Sequence, residues 1–409
     1  MSTGEKKFSF SEFFTEGQYQ TQAEVLEISE KNKSISIGIP KEDNNDENRV
    51  PIVPNSLRLL IGHGHKVVVE KGAGDRSNFS DHDFSEAGAE LTTDKKRVYK
   101  SQVIVKASPP TPQEINMMPD GAVLISPIIL PKMTEQCILA LKKKRIIAIA
   151  MEYLAGESGA FPLVRIMSEI AGMASVFTAA ELLSYGQGGR GILLGGVSGV
   201  PPAKVVILGA GVVAEFATKT ALGLGASVRI FDNDISKLMR IQNLIGRQLH
   251  TSTFNPVYLG YQLLSADVVI GAIHSKTGRS PILVTEEMVS KMKPGSVIID
   301  VSIDQGGCIE TSEVTDHSNP TRVVHDIIHY GVPNIASKVP RTASAAISNI
   351  ITPILIKAGE YGSVEGLIYE GKSMRSGVYT YKGAITNQHL SKIFGLKYQD
   401  INLLIASQY

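Results

Sequence analysis

Short apolar runs separated by helical stretches set the rhythm of this chain. SISIGIP from Ser34, then Lys66 to Glu70, Gln102 to Lys106 and Arg145 to Met151, with an apolar run at Ala122 to Leu130, alternate with helical patterns near Asn55 to Ile61 and Asp83 to Gly88. Brief apolar runs bounded by turn residues read as buried strands, and strands alternating with helices imply βαβ units and a parallel sheet. The pattern predicts an α/β unit over 35–161, preceded by an extension over 1–34. In that extension Phe8, Phe10, Phe13, Phe14 and Tyr19 punctuate a polar stretch, as a loosely packed tail or an arm toward a neighbouring subunit would. A second unit spans 162–340, with a long helical stretch from Met167 to Leu183 and a glycine-rich loop or hairpin at Gly186 to Gly199. Its strands are predicted at Lys204 to Leu208, Ser227 to Phe231, Ala266 to Gly271, Ser296 to Val301 and Thr321 to Val324. A helix rich in small residues from Thr342 opens a segment, 341–409, that is expected to pack back on the first unit and make it discontinuous. The fold class is therefore α/β, with two Rossmann-like domains, the doubly wound nucleotide-binding one inserted in a discontinuous substrate domain.

The sharpest local signal is AKVVILGAGVVAEFATKTALGLGASVRIFD, Ala203 to Asp232. An apolar strand stops at Gly209-Ala-Gly211-Val-Val-Ala214, where a helix takes over. Gly209 permits the tight turn, Gly211 lets backbone approach a pyrophosphate, and Ala214 lets the helix pack close on its strand. The helix N-terminus offers N–H groups to phosphate oxygens. Asp232 ends the next strand about 20 residues past the glycines, where a ribose-binding carboxylate belongs. No arginine directly follows it, so the fingerprint favours NAD over NADP.

Composition narrows the rest. At 409 residues the chain exceeds one comfortable core, and a formal charge of +1 argues against nucleic acid or an anionic membrane as the main partner. Only Cys137 and Cys308 are present, which excludes a disulfide scaffold and fits a reducing cytoplasm. The amino terminus lacks the apolar core of a signal peptide, and no stretch is expected to approach the ~20 apolar residues that span a bilayer. No histidine pair has metal-ligand spacing with a partnering acid, so no metal is expected.

Ligands of open α/β sheets bind outside the carboxyl ends of the strands. That rule singles out His274, Asp304 and His325-Asp326 in the second unit. Asp304, in DVSIDQGG, is placed to meet substrate and nicotinamide, or caps a turn. His274 is a candidate for the nicotinamide side, or else a satisfied loop residue, and His325 and His329 read as structural. In the first unit Arg49 is placed to clamp a carboxylate bidentately, or else pairs with Asp46 or Glu47. Lys106 and Ser108, two apart on one strand, share a face that projects toward the cleft, or else Lys106 caps an edge.

From about Ser34 to the end, these residues resemble the alanine dehydrogenase and transhydrogenase alpha-subunit family. The resemblance is carried by GIPKEDNNDENRVPIVP, GAGDRSNFSD, MSEIAG, QGGRGILLGG, GVPPAKVVILGAGV, MKPGSVIIDVSIDQGGC, VHD and KVPRTAS. SIDQGGC, and the absence of an insertion after the Asp232 strand, bring it closer to the alanine dehydrogenase branch than to membrane-associated transhydrogenase. The resemblance implies NAD-dependent interconversion of L-alanine with pyruvate and ammonia in a homo-oligomer, often a hexamer. It also implies carboxylate binding by Arg49, catalysis by Asp304, adenosine-ribose binding by Asp232, and cofactor contacts from Ser168 and Asn334. Two positions depart from the family pattern: its substrate-binding lysine aligns with Ser108 and its catalytic histidine with Ile129. Lys106 and Lys132 are the candidates to replace them. The alternative implied by these departures is a catalytically weak NAD-binding sensor or oligomeric partner.

Overall fold

A computed structural model describes residues 34–129, 133–156, 159–275 and 278–407. The predicted aromatic arm and Lys132 lie outside the described residues. Strands β1 (Ser36–Ile39), β2 (Lys66–Glu70), β3 (Glu90–Thr92), β4 (Val103–Val105), β5 (Val123–Ser126) and β6 (Ile147–Ala150) pair in parallel in the order β3-β2-β1-β4-β5-β6. A second sheet holds β7 (Lys204–Leu208), β8 (Ser227–Phe231), β9 (His250–Ser252), β10 (Val268–Gly271), β11 (Val297–Asp300), β12 (Thr321–Val324) and β13 (Ile327–Tyr330). Its parallel core runs β9-β8-β7-β10-β11-β13. The chain then returns: β14 (Val378–Tyr381) joins β6 antiparallel, and β15 (Ala384–Ile385) joins β14.

Both parallel cores thus have the same doubly wound order, reversing direction between β1 and β4 and between β7 and β10. Each reversal opens a crevice at the carboxyl ends of the two strands, where a ligand fits between diverging loops. The strands are apolar because both faces are covered, and alternate residues feed different cores. Ile37, Val67, Val103 and Val105 join one cluster while Ile104, Leu124 and Ala148 join another. In the second sheet Val205, Ile207 and Ile270 face one side and Val206, Leu208 and Val269 the other.

Two helices of 21 residues link the sheets, Pro162–Leu182 and Pro340–Glu360. They meet through Met167, Ile170, Ala343 and Ala346. The first crosses helix Val212–Gly223 so closely that a Cβ at Gly172 would stand 2.4 Å from the Val213 carbonyl oxygen.

Two expectations are corrected. Thr321–Val324 is not a further βα step: β12 pairs antiparallel with β13 through a turn in which His325 and Asp326 have φ of 51° and 60°. Because β12 runs backwards, His325 sits at the end of the sheet opposite the crevice, where it meets Glu286 at 2.8 Å. The expectation of no bilayer-length apolar stretch also fails, since Pro162–Leu182 has the length and a mean hydropathy of 1.4 that suit a span. Half of that segment is buried in the protein, its small residues packed on the neighbouring helix.

Candidate functional site

The crevice of the second sheet is built by the glycine turn. Gly209 has φ +110°, and a Cβ there would stand 2.5 Å from the Ala272 carbonyl oxygen at the end of β10, so no other residue fits. Gly211 caps helix Val212–Gly223, and a Cβ on it would meet nothing within 4 Å. That open space above the first N–H groups of a twelve-residue helix fits a pyrophosphate. Ala214 is fully buried against the sheet. Asp232 is 8 % exposed at the end of β8, its carboxylate held by the Ala210 N–H at 2.8 Å and the Asp234 N–H at 2.8 Å. Each oxygen keeps a lone pair for a ribose hydroxyl. Arg240, which sequence reasoning missed, braces the turn from behind: it donates to the Ala210 carbonyl at 2.9 Å and to buried Glu215 at 2.7 Å. Lys219 also donates to Glu215, at 2.7 Å, and only this i,i+4 pairing was readable from sequence.

Beside this crevice the loops after β10 and β11 are tied together. The Ile273 N–H donates to the Ser302 hydroxyl at 2.9 Å and the Ser275 N–H to the Gln305 side chain at 2.8 Å. Exposed His274 lies on the first loop and exposed Asp304 on the short helix Val301–Gln305 of the second. Asp300 shapes that second loop from beneath. It is 1 % exposed and accepts N–H bonds from Ser302, Cys308 and Ile309 at 3.1, 3.0 and 3.3 Å. Burial raises its pKa despite those bonds. An acid closing an otherwise apolar strand was the sequence signal for it.

The crevice of the first sheet lies between β1 and β4. The chain leaving β1 supplies Glu42, Glu47 and Arg49, and the chain leaving β4 supplies Lys106 and Ser108. Arg49 does pair with Glu47, but the pair is buried rather than superficial: Nε and Nη2 each donate to a carboxylate oxygen at 2.6 Å, and Glu47 is 3 % exposed. Burial works against the charge, yet Glu47, Glu42 and Asp304 together raise the arginine pKa. The guanidinium therefore lies within electrostatic range of a carboxylate on the other sheet. Lys106 is 1 % exposed, its ammonium bonded to Glu42 at 2.8 Å and Glu114 at 3.0 Å, with Tyr99 donating to Glu114 at 2.6 Å. Burial alone would lower the Lys106 pKa, but the two carboxylates raise it. Glu42 also accepts the Ala107 and Ser108 N–H groups at 2.7 and 3.2 Å and the Ser108 hydroxyl.

The halves are joined at Glu47. The Asn334 amide donates to its carboxylate at 3.1 Å, and the Ser337 hydroxyl at 3.0 Å. Asn334 adopts φ 60°, which turns its side chain back into this network. Ser168 is one residue from Met167, whose sulfur lies 3.4 Å from Arg49 Nη1; its own hydroxyl donates to the Val164 carbonyl at 2.7 Å. Ile129 offers no polar group, and its carbonyl accepts the Met133 N–H at 3.1 Å.

Known proteins match this arrangement. Family models for the alanine dehydrogenase/PNT N-terminal domain and C-terminal domain match residues 38–171 and 175–388. An alanine dehydrogenase of Bacillus subtilis (strain 168) is 40% identical over 363 residues, covering 88% of this chain and 95% of its own. A solved L-alanine dehydrogenase superposes with a TM-score of 0.82 at 37% identity, covering 88% of this chain and 99% of that one. A transhydrogenase from Sinorhizobium meliloti superposes at 0.74 with 26% identity, over 87% and 99%. With both domain models matched in order and relatives at about 40% identity over most of their length, the chain belongs to the alanine dehydrogenase/PNT family.

Proposed function

We propose that the protein is an NAD-dependent alanine dehydrogenase: L-alanine, NAD⁺ and water give pyruvate, ammonium, NADH and a proton. When bound, the cofactor supplies a hydride acceptor beside the substrate Cα. The open space above Gly211 and the pinned carboxylate of Asp232 support NAD, because an anion at that ribose repels a 2′-phosphate.

The observation that carries the reading is the locked guanidinium of Arg49. Glu47 takes its Nε and Nη2 edge, and Nη1 meets the Met167 thioether, a weak acceptor that a substrate carboxylate would outcompete for a second bidentate pair on the Nη1–Nη2 edge. Asp304, on the opposite wall and in electrostatic range, is assigned the proton transfers that accompany attack of water on the imine and loss of ammonia. Lys106 is assigned a positioning role, since reaching substrate would break two buried ion pairs. Ser168, His274 and Asn334 are assigned to the cofactor side, and Gly209 and Ala214 to the packing of its turn. We extend the proposal to a cytoplasmic homo-oligomer, a hexamer by family resemblance, with no nucleic-acid or membrane partner. Two buried free cysteines among the described residues support a reducing setting.

Absorbance at 340 nm with L-alanine and NAD tests the reading. NADH formation is expected, with NADP a poor substitute, and Asp304→Ala should lower turnover about 10²- to 10⁴-fold. NAD binding without turnover of alanine would overturn it.

A further inference from the structure

We propose that Ser108 selects for a hydrogen-bond donor on the substrate, so that the site favours the 2-amino acid over the matching 2-oxo acid; this rests on the alanine dehydrogenase reading. Glu42 accepts four bonds: from the Lys106 ammonium, the Ala107 and Ser108 N–H groups, and the Ser108 hydroxyl. Two lone pairs on each oxygen are thereby used. The ammonium divides its hydrogens between Glu42 and Glu114, the two N–H groups point at Glu42, and the hydroxyl joins them as the fourth donor. Its single hydrogen is spent on Glu42. What remains on Ser108 Oγ is lone-pair density, and Oγ can only accept.

Placement makes this consequential. Ser108 follows β4 at the reversal point beside β1, and the Glu42 it bonds lies on the chain leaving β1, the same connection that carries Arg49. A 2-amino acid clamped there by its carboxylate presents an amino group whose N–H bonds satisfy Oγ. A 2-oxo acid presents a carbonyl oxygen, which is also only an acceptor, so the two oxygens repel and neither is paired. Lys106 cannot relieve the mismatch, because its ammonium is spent on Glu42 and Glu114.

The test is titration calorimetry on the full chain, with L-alanine added to the NADH-loaded protein and pyruvate added to the NAD-loaded protein, so that no turnover intervenes. Wild type, Ser108→Ala and Ser108→Thr are compared, and NAD binding reports that each variant is folded. Ser108→Ala is expected to weaken alanine on the order of tenfold while leaving pyruvate unchanged or tighter. Ser108→Thr, which keeps the hydroxyl, should bind like wild type. Equal effects on both ligands, or none, in a protein that still turns over alanine would overturn this inference alone. A cofactor-loaded wild type that binds no 2-amino acid would overturn the alanine dehydrogenase reading with it.

Discussion

Glu152, just past β6, shows how a single carboxyl group can weight the stability of the first sheet. One oxygen accepts the Ile128 N–H at 2.6 Å, while the other is buried without a hydrogen-bond partner among the described residues. Burial pushes its pKa from 4.5 up to about 7. Between those values the unfolded chain has lost a proton that the folded chain retains, so stability falls as pH rises through the window, then levels off above it. At about 1.4 kcal/mol per unit the total loss is on the order of 3 kcal/mol. Glu152→Gln should remove that slope: urea unfolding at pH 5 and 7.5 should show the variant gaining about 2–3 kcal/mol on wild type between the two. A constant difference would refute it. Sequence could not have found this group, because nothing in AMEYL says that one carboxylate oxygen will be enclosed. It singled out Asp232, at the end of an apolar run, and Asp304, in the loop after another, but passed over Asp300, the acid that closes that second run. Glu47 fell between: it was readable as a partner of Arg49, but its burial depends on Asn334 and Ser337, nearly 300 positions away.

At the scale of elements, two helices of the nucleotide half approach closely where Pro162–Leu182 crosses Val212–Gly223. Backbone meets backbone there, so Gly172→Ala must push apart the helix whose N-terminus faces the proposed pyrophosphate site. It should cost about 1–3 kcal/mol in thermal or urea unfolding and weaken NAD binding in calorimetry. Stability lost with affinity intact would separate the two helices functionally. The helical pattern of MSEIAG and its neighbours was legible from spacing. Which glycine lies at the crossing was not, because it depends on the angle between two helices. The β12–β13 hairpin was misread for a related reason: TRVV has the composition of a parallel strand, and only two residues with positive φ reveal that the chain doubles back.

For the whole molecule, the matched strand orders put one crevice in each sheet, and Glu47 bonds the two sides. Replacing Asn334 and Ser337 together by alanine removes both bonds that reach Glu47 from the nucleotide half. The KM for alanine should then rise about 5- to 30-fold with kcat changed far less, because the arginine loses its brace rather than its charge. A fall in kcat alone would contradict that. The two-sheet architecture was legible from alternating strands and helices, and the return of the chain was expected from the position of the last helix. What sequence could not supply was which strand of the first unit the return joins, since β14 and β15 are too short to announce their partner. That return has a mechanical meaning. The nucleotide sheet, 204–330, is joined to the other by two separate passages of the chain, one before it and one after, and the helices that carry them lie against each other. A body held by one strand of chain can swivel in any direction, whereas two adjacent attachments define an axis. Any rotation of one half against the other is therefore confined to the line along which those two helices meet, as a door is confined to the line of its hinge pins.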